Sequence, residues 1–166
     1  MKTLTIVRHA KSSWDHPSLA DSERPLNERG ERDAPVMARR IQKAGIRPSL
    51  ILSSHAVRAW STARVIAKEL NYPLEFLQRE KDMYLASAER LLSIVARQDE
   101  GFNNMMIVGH NPGLTDLVNL LLPGTTGNLP TCGVVSITFE SDHWDLRGDC
   151  ERRLDLYDYP RKTRGD

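Results

Sequence analysis

The chain alternates between short, largely apolar runs and longer stretches in which apolar residues recur every three or four positions. The apolar runs lie at residues 3–10, 50–52 and 105–108, and the first of them ends with the pair Arg8-His9. Runs this short and this apolar predict strands that are buried on both faces, as in a parallel sheet covered by helices. We therefore predict three central strands.

The stretches between these runs show helical periodicity and recognisable boundary residues. Asn27 is suited to cap a helix whose apolar positions continue to Ile41, and Gly45 stops that helix. Further helices are predicted over residues 56–70, 86–97 and 112–122, the last with Asn111 as its cap. Strands and helices therefore alternate along the chain.

Three shorter segments are assigned on weaker patterns. Residues 74–77 predict a short strand after the helix-breaking residues 71–73. Residues 134–140 and 144–148 are two extended segments that a short polar stretch separates, a pattern that predicts a hairpin.

Alternating strands and helices predict the α/β class, with a mostly parallel sheet between layers of helices. A chain of 166 residues, 40% of them hydrophobic, is large enough for one domain with a substantial core. We place this domain at residues 1–158 and expect the polar, basic residues 159–166 to form a disordered tail. Ligands of such folds bind at the carboxyl ends of the parallel strands.

Charge and composition exclude several classes of partner. The 23 Lys and Arg residues nearly balance the 22 Asp and Glu residues, so no global field favours nucleic acid or an anionic membrane. No apolar run is long enough to span a membrane, and Met1 leads directly into a strand without a signal peptide, which predicts a cytoplasmic protein. The two cysteines form no Cys-x-x-Cys unit, so we expect reduced structural thiols.

Basic side chains follow all three central strands. Arg8 and His9 end the first strand, Arg58 lies in the first turn of the helix after the second, and His110 follows the strand at residues 105–108. Arginine presents a fixed fork of donors suited to phosphate, and neutral imidazole is a competent nucleophile. Taken alone, Arg58 is also explained by a surface ion pair and His110 by a structural role. Their convergence with Arg8 and His9 indicates phosphoryl chemistry.

Three segments stand in a recognisable order and spacing: Arg8-His9-Ala10, residues 53–63 and Gly109-His110. They resemble the three motifs of the histidine phosphatase superfamily, and the resemblance extends over about residues 3–156. Residues 8–12, residues 24–30 and the short chain, which has no insertion large enough for a cap domain, resemble its SixA-type phosphohistidine phosphatase branch. The resemblance implies a three-layer α/β/α sandwich of the phosphoglycerate-mutase-like type. Ala10 stands where the superfamily usually has glycine.

The resemblance implies a role for each residue of the predicted site. His9 would be the nucleophile that accepts the phosphoryl group, and Arg8, Arg58 and His110 would form the phosphate pocket. Arg24, in the loop over the site, would be a further phosphate or substrate contact, unless it forms an ordinary surface ion pair. No metal or other cofactor is expected, since the histidines show neither helical nor zinc-finger spacing.

The general acid is the one group that the sequence does not place. Aligning residues 83–87 by Leu85 puts Ser87 where many superfamily members carry a glutamate that protonates an alkoxide leaving group. The candidate acids nearby are Asp82, Glu80 and Asp21. A missing acid matters less for phosphohistidine, because a protonated imidazole leaves more easily than an alkoxide.

The sequence thus predicts a metal-independent phosphatase that hydrolyses phosphohistidine on proteins through phosphorylated His9. The alternative is a phosphatase for small phosphate monoesters or sugar phosphates that uses the same nucleophile. A phospho-ligand binding module is disfavoured by the intact nucleophile, and a mutase by the short chain and the unplaced acid. The expected partner is a phosphorylated protein or a small phosphoester, with no nucleic acid and no membrane, and the chain would be a monomer or weak dimer.

Overall fold

A computed structural model of the chain describes residues 1–162, which form one six-stranded sheet and four α-helices. The strands are β1 Lys2–Arg8, β2 Leu50–Ser53, β3 Gln78–Arg79, β4 Asn104–Gly109, β5 Val134–Phe139 and β6 Arg152–Asp158. The α-helices are α1 Glu28–Lys43, α2 Val57–Glu69, α3 Ala88–Ala96 and α4 Gly113–Leu121. Short 3-10 helices lie at Asp21–Glu23, Leu74–Phe76 and Lys81–Met83.

The sheet has the strand order β3-β2-β4-β1-β5-β6. The pairings β2–β3, β2–β4 and β1–β4 are parallel, whereas β1–β5 and β5–β6 are antiparallel. This arrangement confirms the predicted α/β class and the mostly parallel sheet. Because β2, β4 and β1 are parallel neighbours, their carboxyl ends meet at one edge, where the predicted basic residues follow them.

Two hydrophobic clusters, one on each side of the sheet, make the three layers. Residues of β1 contribute alternately to the two clusters. Leu4 and Ile6 pack on the side of α3 and α4, whereas Val7 packs on the side of α1 and α2. Each of these strand residues is fully buried. The short apolar runs of the sequence are therefore buried on both faces, which confirms the predicted three-layer sandwich.

Two glycines let helices that flank the site begin directly against neighbouring loops. Asn27 caps α1 as predicted, its side-chain oxygen accepting from the Gly30 N–H at 2.9 Å. A Cβ at Gly30 would lie 2.1 Å from the Lys11 carbonyl oxygen, and one at Gly113 would lie 1.8 Å from that of Ala86. Only glycine permits this close approach of main chain to main chain.

The predicted strand at residues 74–77 is wrong. This segment is the 3-10 helix Leu74–Phe76, and the strand β3 follows it with both side chains exposed. The Tyr72 hydroxyl donates to the Phe76 carbonyl at 3.0 Å, which holds the turn. The apolar residues of segment 74–77 therefore belong mainly to the turn that precedes the edge strand β3, and not to the strand itself.

The predicted strand at residues 144–148 is also wrong. Trp144 is fully buried, but it reaches the core from a loop and donates its indole N–H to the Phe102 carbonyl at 2.9 Å. The antiparallel partner of β5 is instead β6, an edge strand whose exposed charged residues resemble a loop in composition.

The first residues of the predicted tail contact the body of the domain. Arg40 of α1 donates to the Tyr159 carbonyl at 3.0 Å, and Arg161 donates to the Asp33 carboxylate at 3.1 Å. Residues 163–166 lie outside the described residues, and a domain boundary at residue 158 stays a prediction. None of the helices within residues 1–162 has the length and apolar character needed to cross a membrane.

Candidate active site

A cavity of about 160 Å³ opens at the edge where the parallel strands end. It contains all five side chains that the sequence assigned to catalysis or phosphate binding: Arg8, His9, Arg24, Arg58 and His110. The strand register explains why the two histidines meet. Arg8 of β1 is paired with Gly109 of β4, so the next residue of each strand carries an imidazole, and the ring centroids lie 5.3 Å apart.

His9 is buried and held in one tautomer. Its Nδ1 lies 2.7 Å from the Ala10 carbonyl oxygen, which can only accept, so Nδ1 carries the proton and Nε2 keeps its lone pair. The Ala10 N–H donates to the Thr62 hydroxyl at 3.0 Å, and that hydroxyl donates to the Arg58 carbonyl at 2.8 Å. The backbone behind the imidazole is therefore fixed to α2.

Both imidazoles in the cavity are neutral at pH 7. The pKa of His9 is lowered to about 4, mainly by burial and further by the charges of Arg58, Arg8 and Arg24, against the opposing effect of the Ala10 carbonyl. Burial lowers the pKa of His110 to about 3, with His9 and Arg58 acting in the same direction. Neutral His9 is the form that can attack phosphorus.

The three arginines present donors that have no acceptor. Arg8 donates from Nη1 to the Leu129 carbonyl at 2.9 Å, and Arg24 donates from Nη2 to the Ser12 hydroxyl at 2.8 Å. Nε of Arg8, Nη1 of Arg24 and Nε of Arg58 are buried and have no hydrogen-bond partner among the described residues. Buried donors are normally satisfied, so this cluster of cationic N–H groups is matched to an anion with several oxygens.

Asp21 is the candidate acid that the structure brings to the site. Its Oδ2 accepts from Arg58 Nη2 at 2.9 Å and from the Tyr84 hydroxyl, and its Oδ1 lies 3.2 Å from Arg24 Nε. The Tyr84 hydrogen bond and the charge of Arg58 lower the pKa of Asp21, while burial raises the pKa of Tyr84. Asp21 is therefore an ionised partner of the arginines at neutral pH.

The other two candidate acids lie elsewhere. Glu80 and Asp82 pair with Arg97, at 3.3 and 3.9 Å, and neither lines the cavity. Ser87, aligned with the acid of related enzymes, caps α3 by accepting from the Arg90 N–H at 3.2 Å. Glu80 and Asp82 are close in sequence to residues 83–87, but this closeness does not bring them to the cavity.

Sequence reasoning missed three residues that shape the site. Ser54 places its hydroxyl 2.7 Å from Nε2 of His110, Tyr84 holds Asp21, and Trp14 stacks on the Arg24 guanidinium with 3.5 Å to the ring centroid. Ser54 had a signal, since it directly follows β2. Trp14 and Tyr84 lie in loops, where sequence spacing does not show which residue a side chain contacts. Among residues 1–162, no three His, Cys, Asp or Glu side chains come together as metal ligands.

We expect the two buried histidines to make the fold sensitive to acid. Their native pKa values of about 4 and about 3 lie below the value near 6.5 of an unfolded histidine, so the unfolded chain binds more protons below pH 6.5. The free energy of unfolding should then fall as the pH decreases from about 6.5, by up to about 1.4 kcal/mol per pH unit for each histidine. Urea unfolding measured at several pH values between 7 and 5 tests this.

Substitution of each histidine shows how much it contributes to the pH dependence of the free energy of unfolding. His9→Gln and His110→Gln should each reduce the pH slope, and the double variant should reduce it further. An unchanged slope in both buried-site variants would contradict the assignment.

Several known proteins are similar to this chain in sequence. The family model of the histidine phosphatase superfamily (branch 1) matches residues 4–103. An uncharacterised chloroplastic protein of Arabidopsis thaliana is 30% identical over 152 residues, which cover 87% of this chain and 69% of that protein. The probable phosphoglycerate mutase GpmB of Cronobacter sakazakii is 28% identical over 116 residues, which cover 68% of this chain and 53% of GpmB. The chain thus spans about half the length of that relative.

Two solved structures are similar over nearly their full length. A crystal structure of a candidate phosphohistidine phosphatase SixA from Agrobacterium tumefaciens has a TM-score of 0.80 and 28% identity, covering 96% of this chain and 98% of that one. The protein histidine phosphatase SixA in complex with tungstate has a TM-score of 0.77 and 23% identity, covering 95% and 97%. At that lower identity the likeness concerns the fold.

Proposed function

The chain belongs to the histidine phosphatase superfamily (branch 1) and resembles its SixA-type members, and from this premise we propose that it hydrolyses phosphohistidine on proteins through phosphorylated His9. Membership and the likeness to a SixA structure support a phosphatase, and we propose the substrate and the residue roles. One observation carries them. His9, with its proton held on Nδ1, lines a cavity in which buried guanidinium N–H groups have no acceptor among residues 1–162.

In the first step, Nε2 of His9 attacks phosphorus and forms a new N–P bond. The P–N bond of the substrate breaks, its electron pair stays on the substrate imidazole, and that ring leaves neutral after taking a proton from water. Charge spreads over three equatorial oxygens in the transition state. Arg8, Arg58 and His110 would stabilise these oxygens as fixed donors, with Arg24 as a further contact.

In the second step, water attacks the phosphorus of phosphorylated His9. The bond to Nε2 breaks, the electron pair returns to the imidazole, and inorganic phosphate leaves with the oxygen of that water. The protons of the water end on phosphate and in solvent. Both steps use only side chains of the chain and water.

The environment of Asp21 favours a P–N substrate. Expulsion of an alkoxide needs a group that holds a proton at neutral pH, and the pKa of Asp21 is shifted in the opposite direction. Within residues 1–162, no other carboxyl group contacts the cavity residues in this way. Imidazole needs no such donor from the enzyme, because a nitrogen with a pKa of about 6.5 takes up its proton from water near neutral pH.

The second candidate function is hydrolysis of small phosphate monoesters. A specific observation favours it, since Asp21 pairs with the cavity residue Arg58, and one sequence relative is the probable phosphoglycerate mutase GpmB. This alternative requires Asp21 to deliver a proton despite its contacts with Arg58 and Tyr84.

The deciding experiment compares substrates in the presence of a chelator. Turnover of a phosphohistidine-bearing protein is measured beside p-nitrophenyl phosphate and several sugar phosphates, and acid-labile phosphoenzyme is trapped in parallel. We expect kcat/KM for phosphohistidine to exceed that for sugar phosphates by about 100-fold or more, which is the lower range of what a general acid contributes. Faster turnover of an ester would instead support the second candidate.

Asp21→Asn distinguishes the two functions within one protein. We expect phosphohistidine turnover to fall by less than about 10-fold, because the loss of a general acid would cost about 10²- to 10⁴-fold. Single-turnover kinetics on both substrate classes provide the measurement. Asp82→Asn is the matched control, since Asp82 is exposed and lies outside the cavity. A drop of 100-fold or more on phosphohistidine would make Asp21 the acid.

A further inference from the structure

The buried hydroxyl of Ser54 has two contacts, and together they determine the direction in which its proton points. Its oxygen accepts from the Ala56 N–H at 3.2 Å and lies 2.7 Å from Nε2 of His110. Ser54 is fully buried, and no other hydrogen bond of its side chain is present among residues 1–162. A serine hydroxyl carries a single proton, so its direction depends on which nitrogen of His110 is protonated.

One of the two tautomers leaves several buried groups unsatisfied. If Nε2 of His110 carried the proton, the Ser54 oxygen would accept two N–H groups and its own proton would lack an acceptor. Nδ1 of His110, which is buried without a partner, would then present a lone pair in a cavity built for an anion. Both results cost free energy in a buried site.

The other tautomer satisfies both the Ser54 hydroxyl and Nε2 of His110. The Ser54 hydroxyl then donates to Nε2 and still accepts from the Ala56 N–H. The proton of His110 lies on Nδ1, which has no acceptor among residues 1–162 and is therefore available to an anion in the cavity. Because burial keeps His110 neutral, with a pKa of about 3, it carries only one ring proton at pH 7. The location of that proton decides whether the ring donates to an anion or repels it.

The backbone makes this contact rigid. The Ser54 N–H donates to the Val108 carbonyl at 3.0 Å, and the Ser53 hydroxyl donates to the Ser54 carbonyl at 2.9 Å. Val108 lies two residues before His110 on β4. Serine and histidine are therefore attached to adjacent strands in fixed register.

We propose that Ser54 is a positioning residue that holds His110 as the Nδ1–H tautomer, so that the neutral imidazole donates a hydrogen bond to a phosphoryl oxygen. This inference rests on the proposed phosphatase function, in which His110 contacts the transferred group. Ser54 itself does not line the cavity and acts only through the histidine.

The first test reads the tautomer directly and needs no substitution to be interpreted. In ¹⁵N NMR of the protein at pH 7, protonated and unprotonated ring nitrogens have well-separated chemical shifts. We expect Nδ1 of His110 to be protonated and Nε2 to be a hydrogen-bonded acceptor. A proton on Nε2 would overturn the proposal whether or not the protein hydrolyses phosphohistidine.

The second test is a double-mutant cycle with His110→Asn, whose amide has no counterpart of Nε2. We expect Ser54→Ala to lower kcat/KM by about 10-fold in the wild-type background, a part of the loss that follows removal of an oxyanion donor. In the His110→Asn background the same change should have less than about a 2-fold effect. Ser136→Ala removes an equally buried hydroxyl that bonds to Thr5 and not to His110 or Ser54, and is the matched control.

Binding of inorganic phosphate separates this proposal from the proposed function. Ser54→Ala should weaken phosphate binding in the wild-type background but not in the His110→Asn background, even if the protein fails to hydrolyse phosphohistidine. Equal losses in both backgrounds would show that Ser54 has a structural role only, and would overturn the proposal.

Discussion

His9→Ala is expected to reduce turnover by at least about 10⁴-fold and to abolish the acid-labile phosphoenzyme, because removal of a nucleophile removes the covalent pathway itself. We expect this to be the largest effect of any single substitution at the site. His9 lines the cavity, and because the Ala10 carbonyl holds Nδ1, Nε2 is the nitrogen left for attack. Trapping with radiolabelled substrate, followed by acid and base treatment, measures the intermediate.

The control for this substitution is another histidine. His143 is exposed and pairs with Glu100 far from the cavity, so His143→Ala should keep wild-type turnover and labelling. A His9→Ala protein with near-native rates would exclude the covalent mechanism. Circular dichroism should show both variants folded, since His9 contributes no hydrogen bond to the sheet from its side chain beyond the local Ala10 contact.

Arg58→Ala is expected to lower kcat/KM by about 10²- to 10³-fold, with phosphoenzyme formation slowed to the same extent. Arg58 Nε is buried without a partner among the described residues, and the side chain lies in the first turn of α2, where a cation opposes the helix dipole. Its other nitrogens donate to the Asp21 carbonyl at 2.6 Å and to the Asp21 carboxylate at 2.9 Å. Because the substitution also removes this pair, the thermal unfolding temperature should decrease moderately, and kcat/KM is measured well below the transition.

Two further variants show what the guanidinium supplies. Arg58→Lys keeps the charge but not the fork of donors, and should recover only a part of the lost activity. Arg64→Ala removes an exposed arginine from the same helix and should be neutral. Full activity in Arg58→Lys would mean that charge alone matters, and full activity in Arg58→Ala would remove this residue from the site.

The sequence was sufficient to predict the central strands and the side chains that follow them. The runs that became β1, β2 and β4 are buried on both faces, and burial is what apolar runs report. The prediction failed where a buried residue does not belong to a strand, or where a strand is not buried. Trp144 is buried without being in a strand, and Arg152–Asp158 is a strand with much of its surface exposed.

The carboxylate at the site could not be chosen from sequence. Asp21 lies in the loop after β1, and its contact with Arg58 joins residues 37 positions apart. Glu80 and Asp82 looked equally suitable because nothing in their spacing reveals the pairing with Arg97. The sheet fixes the positions in space of residues that follow its strands. The positions of loop residues depend on contacts that are defined only in the folded chain.

The close main-chain contacts at Gly30 and Gly113 anchor the loops at Lys11 and Ala86 through their backbone. Two side chains near these anchor points, Trp14 and Leu85, are 73% and 56% exposed at the mouth of the cavity. Trp14 stacks on the Arg24 guanidinium. A designer who wished to retarget this scaffold to another phosphorylated molecule would therefore begin by varying Leu85 and would keep Trp14.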